Sequence, residues 1–402
     1  MKRIINIFFL LLIAQSITAQ KRDISKARDY LKSGKNLEQA EQLMQKLLED
    51  TAYRENKKIW VILFDAQRKQ YEQGNERLYL KQQYDTVALF TIASKMFATA
   101  ESLDSLEMKP DKKGKVNIEY RKKHAEYLNQ YRPNLYNGGT FFIKKQKYKE
   151  AYMFFNQYIE CAHEPLFASF KYNETDTLMP VAAYWAVYCG YKMQDPKLTL
   201  HHTYLALKDE KHYDLMLQYL AETYKLEKDT TRYLQTIQEG FQKYPRFPFF
   251  FPRLIEYYSN HGQWSDAMQA CNYALAADST SHLFRLVKSS VLLNMGKYAE
   301  CISICSELLA EDTHLADVQL NMGLAYFNQA VELDKTTQVS RSQRNRIVEF
   351  YKKSRPYLEE YRKMAPNKKE RWAVPLYTIY LNLNMGKEFD EVDHILKNER
   401  NK

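Results

Sequence analysis

Several residue series in the C-terminal half of this chain keep an interval of 34, and few folds tolerate such a beat. One series is Tyr224, Tyr258, Leu292 and Tyr326; a second, small or aliphatic, is Ala221, Ile255, Ser289 and Gly323. Gly262 and Gly296 keep the same interval, as do Trp264 and Tyr298 two residues beyond them. A unit of that length accommodates one helical hairpin, which cannot bury its apolar side alone and must stack on copies of itself. The expected fold class is therefore all-α, a solenoid of helix hairpins preceded by an N-terminal helical region. Only 11 glycines and 11 prolines in 402 residues agree with long helices. The 32 tyrosines read first as packing wedges between layers.

Organisation along the chain follows from punctuation. Residues 1–19 read as a signal peptide: Lys2 and Arg3 precede an apolar run from Ile4 to Ala14, and Ser16 to Ala19 supply small residues for cleavage after Ala19. That run is shorter than the roughly 20 residues a membrane span needs, so no transmembrane segment is expected once the signal is removed. Residues 20–107 hold divergent hairpins, with Leu37, Ala40, Met44 and Leu47 on one face and a long helix expected from Leu78 to Leu103. A basic linker and helix start occupy 108–133, where Pro110, Gly114 and a cluster of lysines mark the best boundary. Divergent hairpins fill 134–213 and clear repeats 214–333, with Pro245, Ser279 and Thr313 closing successive units. In 334–402 the second helix of a split repeat arrives about 19 residues late, after the basic insert Lys335 to Arg346. A final hairpin around Gly386 caps the stack.

The stretches Gly262-Gln263-Trp264-Ser265-Asp266-Ala267, Gly296-Lys297-Tyr298 and Met322-Gly323-Leu324-Ala325-Tyr326 resemble the tetratricopeptide repeat (TPR). Ile255, Ser289 and Cys301 depart from its usual small residues. The resemblance implies a right-handed superhelix whose first helices line a concave groove that holds an extended peptide or a partner helix. Groove candidates are Asn260, Asn294 and Asn328, at the 34-residue interval near first-helix ends, with Leu283, Leu286, Leu293, Leu320, Leu324 and Phe327. Asparagine amides can pair with a peptide backbone as donor and acceptor. Asparagine also suits the turn before a left-handed residue, and the leucines equally suit burial by the next repeat. The paired cations of carboxylate-clamping members are missing. With the leader, this organisation resembles exported repeat proteins of Gram-negative anaerobes.

Chemistry and address complete the reading. No His-Glu-x-x-His, Gly-x-Ser-x-Gly, glycine-rich phosphate loop or Cys-x-x-Cys occurs, so no enzyme activity and no cofactor are expected. His201 and His202 are adjacent; on a helix they would point about 100° apart, so no metal site is expected either. Cys161, Cys189, Cys271, Cys301 and Cys305 are an odd number and suit buried packing. A formal charge of +10, or about +8 without the leader, admits an acidic envelope component as a further partner beside a protein or peptide; nucleic acid is not expected in an exported chain. The densest basic run is Lys109, Lys112, Lys113, Lys115, Arg121, Lys122 and Lys123, which also reads as a solvated linker. Thr51, Thr86, Ser105, Thr177, Thr230 and Ser279 each follow aspartate in a pattern similar to an O-glycosylation acceptor of exported proteins, although Asp-Thr is also helix-capping chemistry. The expected address is the periplasm or cell envelope, and the expected role a binding scaffold; a glycan or cell-wall binder using exposed aromatics is the alternative.

Overall fold

The computed structural model describes residues 20–335 and 340–400, with side chains to 398. Residues 1–19, where the signal peptide and its cleavage at Ala19 are expected, lie outside the described residues, as do 336–339 of the insert. The described residues are predominantly helical, and no strand occurs among them. No helix among them is long and apolar enough to cross a membrane. Two compact units divide between Lys228 and Asp229. That division falls inside the 214–333 run that periodicity treats as one segment.

The first unit begins with α1 (20–33), α2 (Leu37–Glu49) and α3 (Lys57–Tyr79) around Ala40, Met44, Ile59 and Ala66. The single helix expected from Leu78 to Leu103 is two pieces. Helix α3 runs on to Tyr79, the chain turns, and α4 (Thr86–Glu107) starts where the Asp85 carboxylate accepts the Val87 N–H at 2.8 Å. Tyr84 lies in that turn because Gly74 has no Cβ; one placed there would stand 2.6 Å from the tyrosine ring. The Lys-rich stretch is a loop inside one core. The buried Glu107 carboxylate accepts the N–H groups of Glu119 and Tyr120, and Arg121 grips Asp104 through two hydrogen bonds of 2.6 and 2.9 Å. Composition marked the loop, but apolar continuity decides the unit: a single cluster runs from Phe64 through Phe97, Leu128 and Phe155 to Tyr219.

That cluster joins α3 and α4 to α5 (Arg121–Tyr131), α6 (Pro133–Lys144), α7 (Tyr148–Glu160), α8 (Tyr172–Thr175), α9 (Met179–Lys192), α10 (Pro196–His201), α11 (Thr203–Ala206) and α12 (Tyr213–Leu226). Arg132 sits at its centre. The guanidinium lies between the rings of Tyr158 and Tyr172, 3.8 and 3.9 Å from their centroids, and donates to Asp176 at 2.5 Å, to the Tyr158 carbonyl at 2.9 Å and to Cys161 Sγ at 3.0 Å. Although burial works against it, hydrogen bonds from Tyr158 and Arg132 hold Asp176 below its ordinary value.

The second unit comprises α13 (Thr230–Lys243), α14 (Phe250–Asn260), α15 (Trp264–Ala277), α16 (His282–Asn294), α17 (Tyr298–Glu311), α18 (Ala316–Asp334), α19 (Arg341–Met364), α20 (Lys369–Asn382) and α21 (Gly386–Arg400). The small-residue series acts sterically. A Cβ on Gly323 would meet Leu358 Cγ at 2.6 Å, and fully buried Ser289 accepts a hydrogen bond from Asn321 Nδ2 at 2.9 Å, pinning α18 to α16. The late second helix of the split repeat is absorbed by lengthening both arms, to 19 and 24 residues, with Ser340 and Gln343 forming a capping box at the start of α19.

Candidate functional site

The turns state the repeat more widely than the glycines do. After Gly262 and Gly296, at φ 67° and 73°, Gln263 N–H returns to the Tyr258 carbonyl and Lys297 N–H to the Leu292 carbonyl, at 2.8 and 2.9 Å. This six-to-one closure satisfies a carbonyl at the helix end. The same closure recurs at Gln146 (Lys147 N–H to Phe142), Gln194 (Asp195 N–H to Gly190) and Asn384 (Met385 N–H to Tyr380), each with φ between 54° and 56°. Lys228, 34 residues before Gly262, has φ 60°. In the final hairpin Asn384 takes the left-handed position and Gly386 opens α21.

No family model matches the chain, and no curated protein matches it. Solved structures similar to it include the C-terminal part of a TPR repeat-containing protein from Cytophaga hutchinsonii, at 13% identity and TM-score 0.43 over 64% of this chain and 92% of that one. A TPR repeats protein from Bacteroides fragilis aligns at 17% identity and TM-score 0.32 over 66% and 98%, and yeast Tom70 at 13% and 0.28 over 95% and 91%. The chain's own register of turns and small residues carries the assignment. Its fold is all-α, and each unit is built of stacked helix hairpins.

The first helices of the second unit repeat one face. On α16 that face carries Leu283, Leu286, Ser290, Leu293 and Asn294; on α18 it carries Asp317, Leu320, Leu324, Phe327 and Asn328. Leu283 is 46% exposed, and Leu286, Leu293, Leu324, Phe327 and Asn328 are half-buried. Leu320 must be withdrawn from the groove: at 1% exposure it belongs to the core with Tyr351 and Leu358. On α14 the matching positions are Pro252 and Glu256, with Asn260 exposed.

A further rung escaped the 34-residue count. On α20, Arg371, Val374, Thr378, Leu381 and Asn382 take the same places, with Val374 and Leu381 more than half exposed. Asn382 lies two residues before left-handed Asn384, as Asn260 and Asn294 lie before their glycines. The lengthened arms of the split repeat hid it. Arg371 and Asp317 pair at 2.7 Å on this face. Asn294 and Asn382 each donate backward, to the carbonyls of Ser290 and Thr378 at 2.8 Å, leaving Oδ1 to accept.

The remaining candidates resolve differently. All five cysteines are free and buried; burial pushes the Cys161, Cys189 and Cys271 thiols up to about 12, which keeps them unreactive at neutral pH. Lys109, Lys112, Lys113 and Lys115 are exposed loop residues, while Arg121 is engaged by Asp104. Thr51, Ser105, Thr177, Thr230 and Ser279 are exposed and Thr86 is half-buried. The aspartates before five of these six residues accept backbone N–H groups at turns or helix starts, so capping explains their pairing; Asp104 alone holds Arg121 instead. Several tyrosine hydroxyls are engaged within the fold, as in Tyr158 to Asp176 and Tyr298 to Glu332, both 2.6 Å.

Two clefts were not anticipated. One of about 460 Å³ lies among Gln238, Leu254, Tyr258, Gln269 and Tyr273 in the second unit; another of about 760 Å³ lies among Ile118, Arg121, Leu166 and Phe170 in the first. The argument from adjacency at His201 and His202 also fails. Helix α10 stops at His201, and His202 leaves it with ψ 17°, so both rings turn toward Glu160.

Proposed function

We propose that this chain is an exported, non-enzymatic scaffold that holds a segment of another protein on the first-helix face of its second unit, in the periplasm or cell envelope. The observation that carries the reading is a recurrent face with accessible apolar side chains at Leu283, Leu293, Phe327, Val374 and Leu381, edged by a row of asparagines. Apolar contacts supply affinity to an amphipathic segment, and amides at regular spacing suit its backbone. The leader supports the envelope address, and the net positive charge would favour an acidic partner surface. The alternative glycan reading is less supported, since the prominent exposed tyrosines Tyr79, Tyr204 and Tyr273 stand on three different helices.

The test is capture from the envelope fraction with the mature chain and with the double variant Leu293→Glu, Leu381→Glu. Both side chains are partly or largely exposed, so the variant should keep its helical circular dichroism. The expected result is a protein partner whose recovery falls at least tenfold with the variant, the equivalent of losing about 1.4 kcal/mol. Equal recovery by both forms, or recovery of glycan alone, overturns the proposal.

A further inference from the structure

We propose that Glu160, His201 and His202 form a binding site for a borderline divalent transition ion, with Zn2+ its occupant. Glu160 closes α7, His201 closes α10 and His202 caps it. Glu160 Oε1 lies 3.5 Å from His201 Nε2 and 3.9 Å from His202 Nε2, and the three groups' ligand atoms all fall within 4.8 Å of one another. Ligand atoms about 2.0–2.1 Å from a tetrahedral ion stand roughly 3.4 Å apart, so the side chains need move little to close on one.

The backbone places these groups firmly. Helix α10 lies against α9 at a point where Gly190 has no Cβ, since one there would stand 2.4 Å from the Thr199 nitrogen. His202 is almost fully buried, its ring tilted against Tyr152 with centroids 6.4 Å apart and its Nε2 2.9 Å from Asn156 Oδ1. To coordinate as a neutral ring, His202 would carry its proton on Nδ1 and turn the Nε2 lone pair to the ion in place of its hydrogen bond with Asn156 Oδ1. His201 and Glu160 are half-exposed, which opens a path from solvent and leaves a fourth position for water. Two imidazoles and one carboxylate favour Zn2+ and its transition-metal neighbours over Mg2+ and Ca2+, which prefer oxygen. The buried cysteines offer no competing accessible thiol.

Calorimetric titration of the untagged full chain with Zn2+ tests this, with Mg2+ and Ca2+ as controls. We expect one equivalent of Zn2+ to bind and to raise the melting temperature by roughly 5–10 °C at hundredfold excess over Kd. His201→Ala and Glu160→Gln alter partly exposed side chains; each should keep the metal-free circular dichroism and weaken binding by about 10-fold or more. No saturable binding up to millimolar Zn2+, or unchanged binding in both variants, overturns the proposal, as does equal affinity for Mg2+.

Discussion

Glu101 makes the stability of this protein depend on pH in an unusual direction. Its side chain lies in the first unit on α4, with Oε1 buried and unpartnered, and burial together with the nearby Glu164 carboxylate raises it from 4.5 to about 8. Below pH 4.5 the carboxyl is protonated in both folded and unfolded chains and contributes nothing to the balance. Above that point the unfolded chain ionises first, and stability declines by ~1.4 kcal/mol per pH unit until the folded group also ionises near 8. His124 and His202, held down to about 4 chiefly by burial, act oppositely: their contribution is complete above 6.5 and is lost as pH falls toward 4. The interval from pH 6.5 to 8 therefore isolates Glu101. Across it the wild type should lose about 2 kcal/mol, or roughly 4–8 °C in melting temperature for a unit of this size. Glu101→Gln, shaped like the protonated acid, should remove that decline. Calorimetric melts of both chains at the two pH values provide the measurement. A flat wild-type profile, or a parallel decline in the variant, would refute the assignment.

Three further outcomes follow from the packing. Arg132→Lys should cost about 3–5 kcal/mol by urea titration, because a lysine cannot serve Asp176, Cys161 and a carbonyl together while lying flat between two tyrosine rings. Gly323→Ala should destabilise by about 1–3 kcal/mol through the clash with Leu358, and Leu358→Ala in the same chain should relieve part of that penalty in a double-mutant cycle. Gln146→Gly and Gln194→Gly should each stabilise by about 0.5–1 kcal/mol, since both residues hold left-handed backbone that glycine adopts without strain; unchanged urea midpoints would contradict this.

The hairpin architecture was legible wherever steric need and residue type coincide. Gly323 and Ser289 had to be small because Leu358 and Asn321 come so close, and Gly262 and Gly296 announced their turns. The pattern faded where other residues met the same backbone demand. Gln146, Gln194, Lys228 and Asn384 adopt left-handed angles that one reads from sequence only for glycine. Asn382 was missed for a related reason, since lengthened α18 and α19 displaced it from the 34-residue count. The break between α3 and α4 went unseen because the stretch from Leu78 to Leu103 read as one helix, although Gly74 and Asp85 were available as signals. Leu320 and Leu324 share a helix face, yet one is sealed and the other half-open, a distinction that depends on neighbours far along the chain. The meeting of His201 and His202 at Glu160 depended on where α10 stops, which spacing alone does not reveal.

The lengthened pair α18 and α19 has one more effect. At about 1.5 Å per residue, the 19-residue α18 outreaches the 13-residue α16 by roughly 9 Å, and the excess lies beyond Asn328, on the side where the asparagines stand. The opposite margin of this unit has no matching rise on α18, which starts level with its neighbour. A segment laid across α16 and α18 would thus meet a raised flank at the α18 end and none at the other.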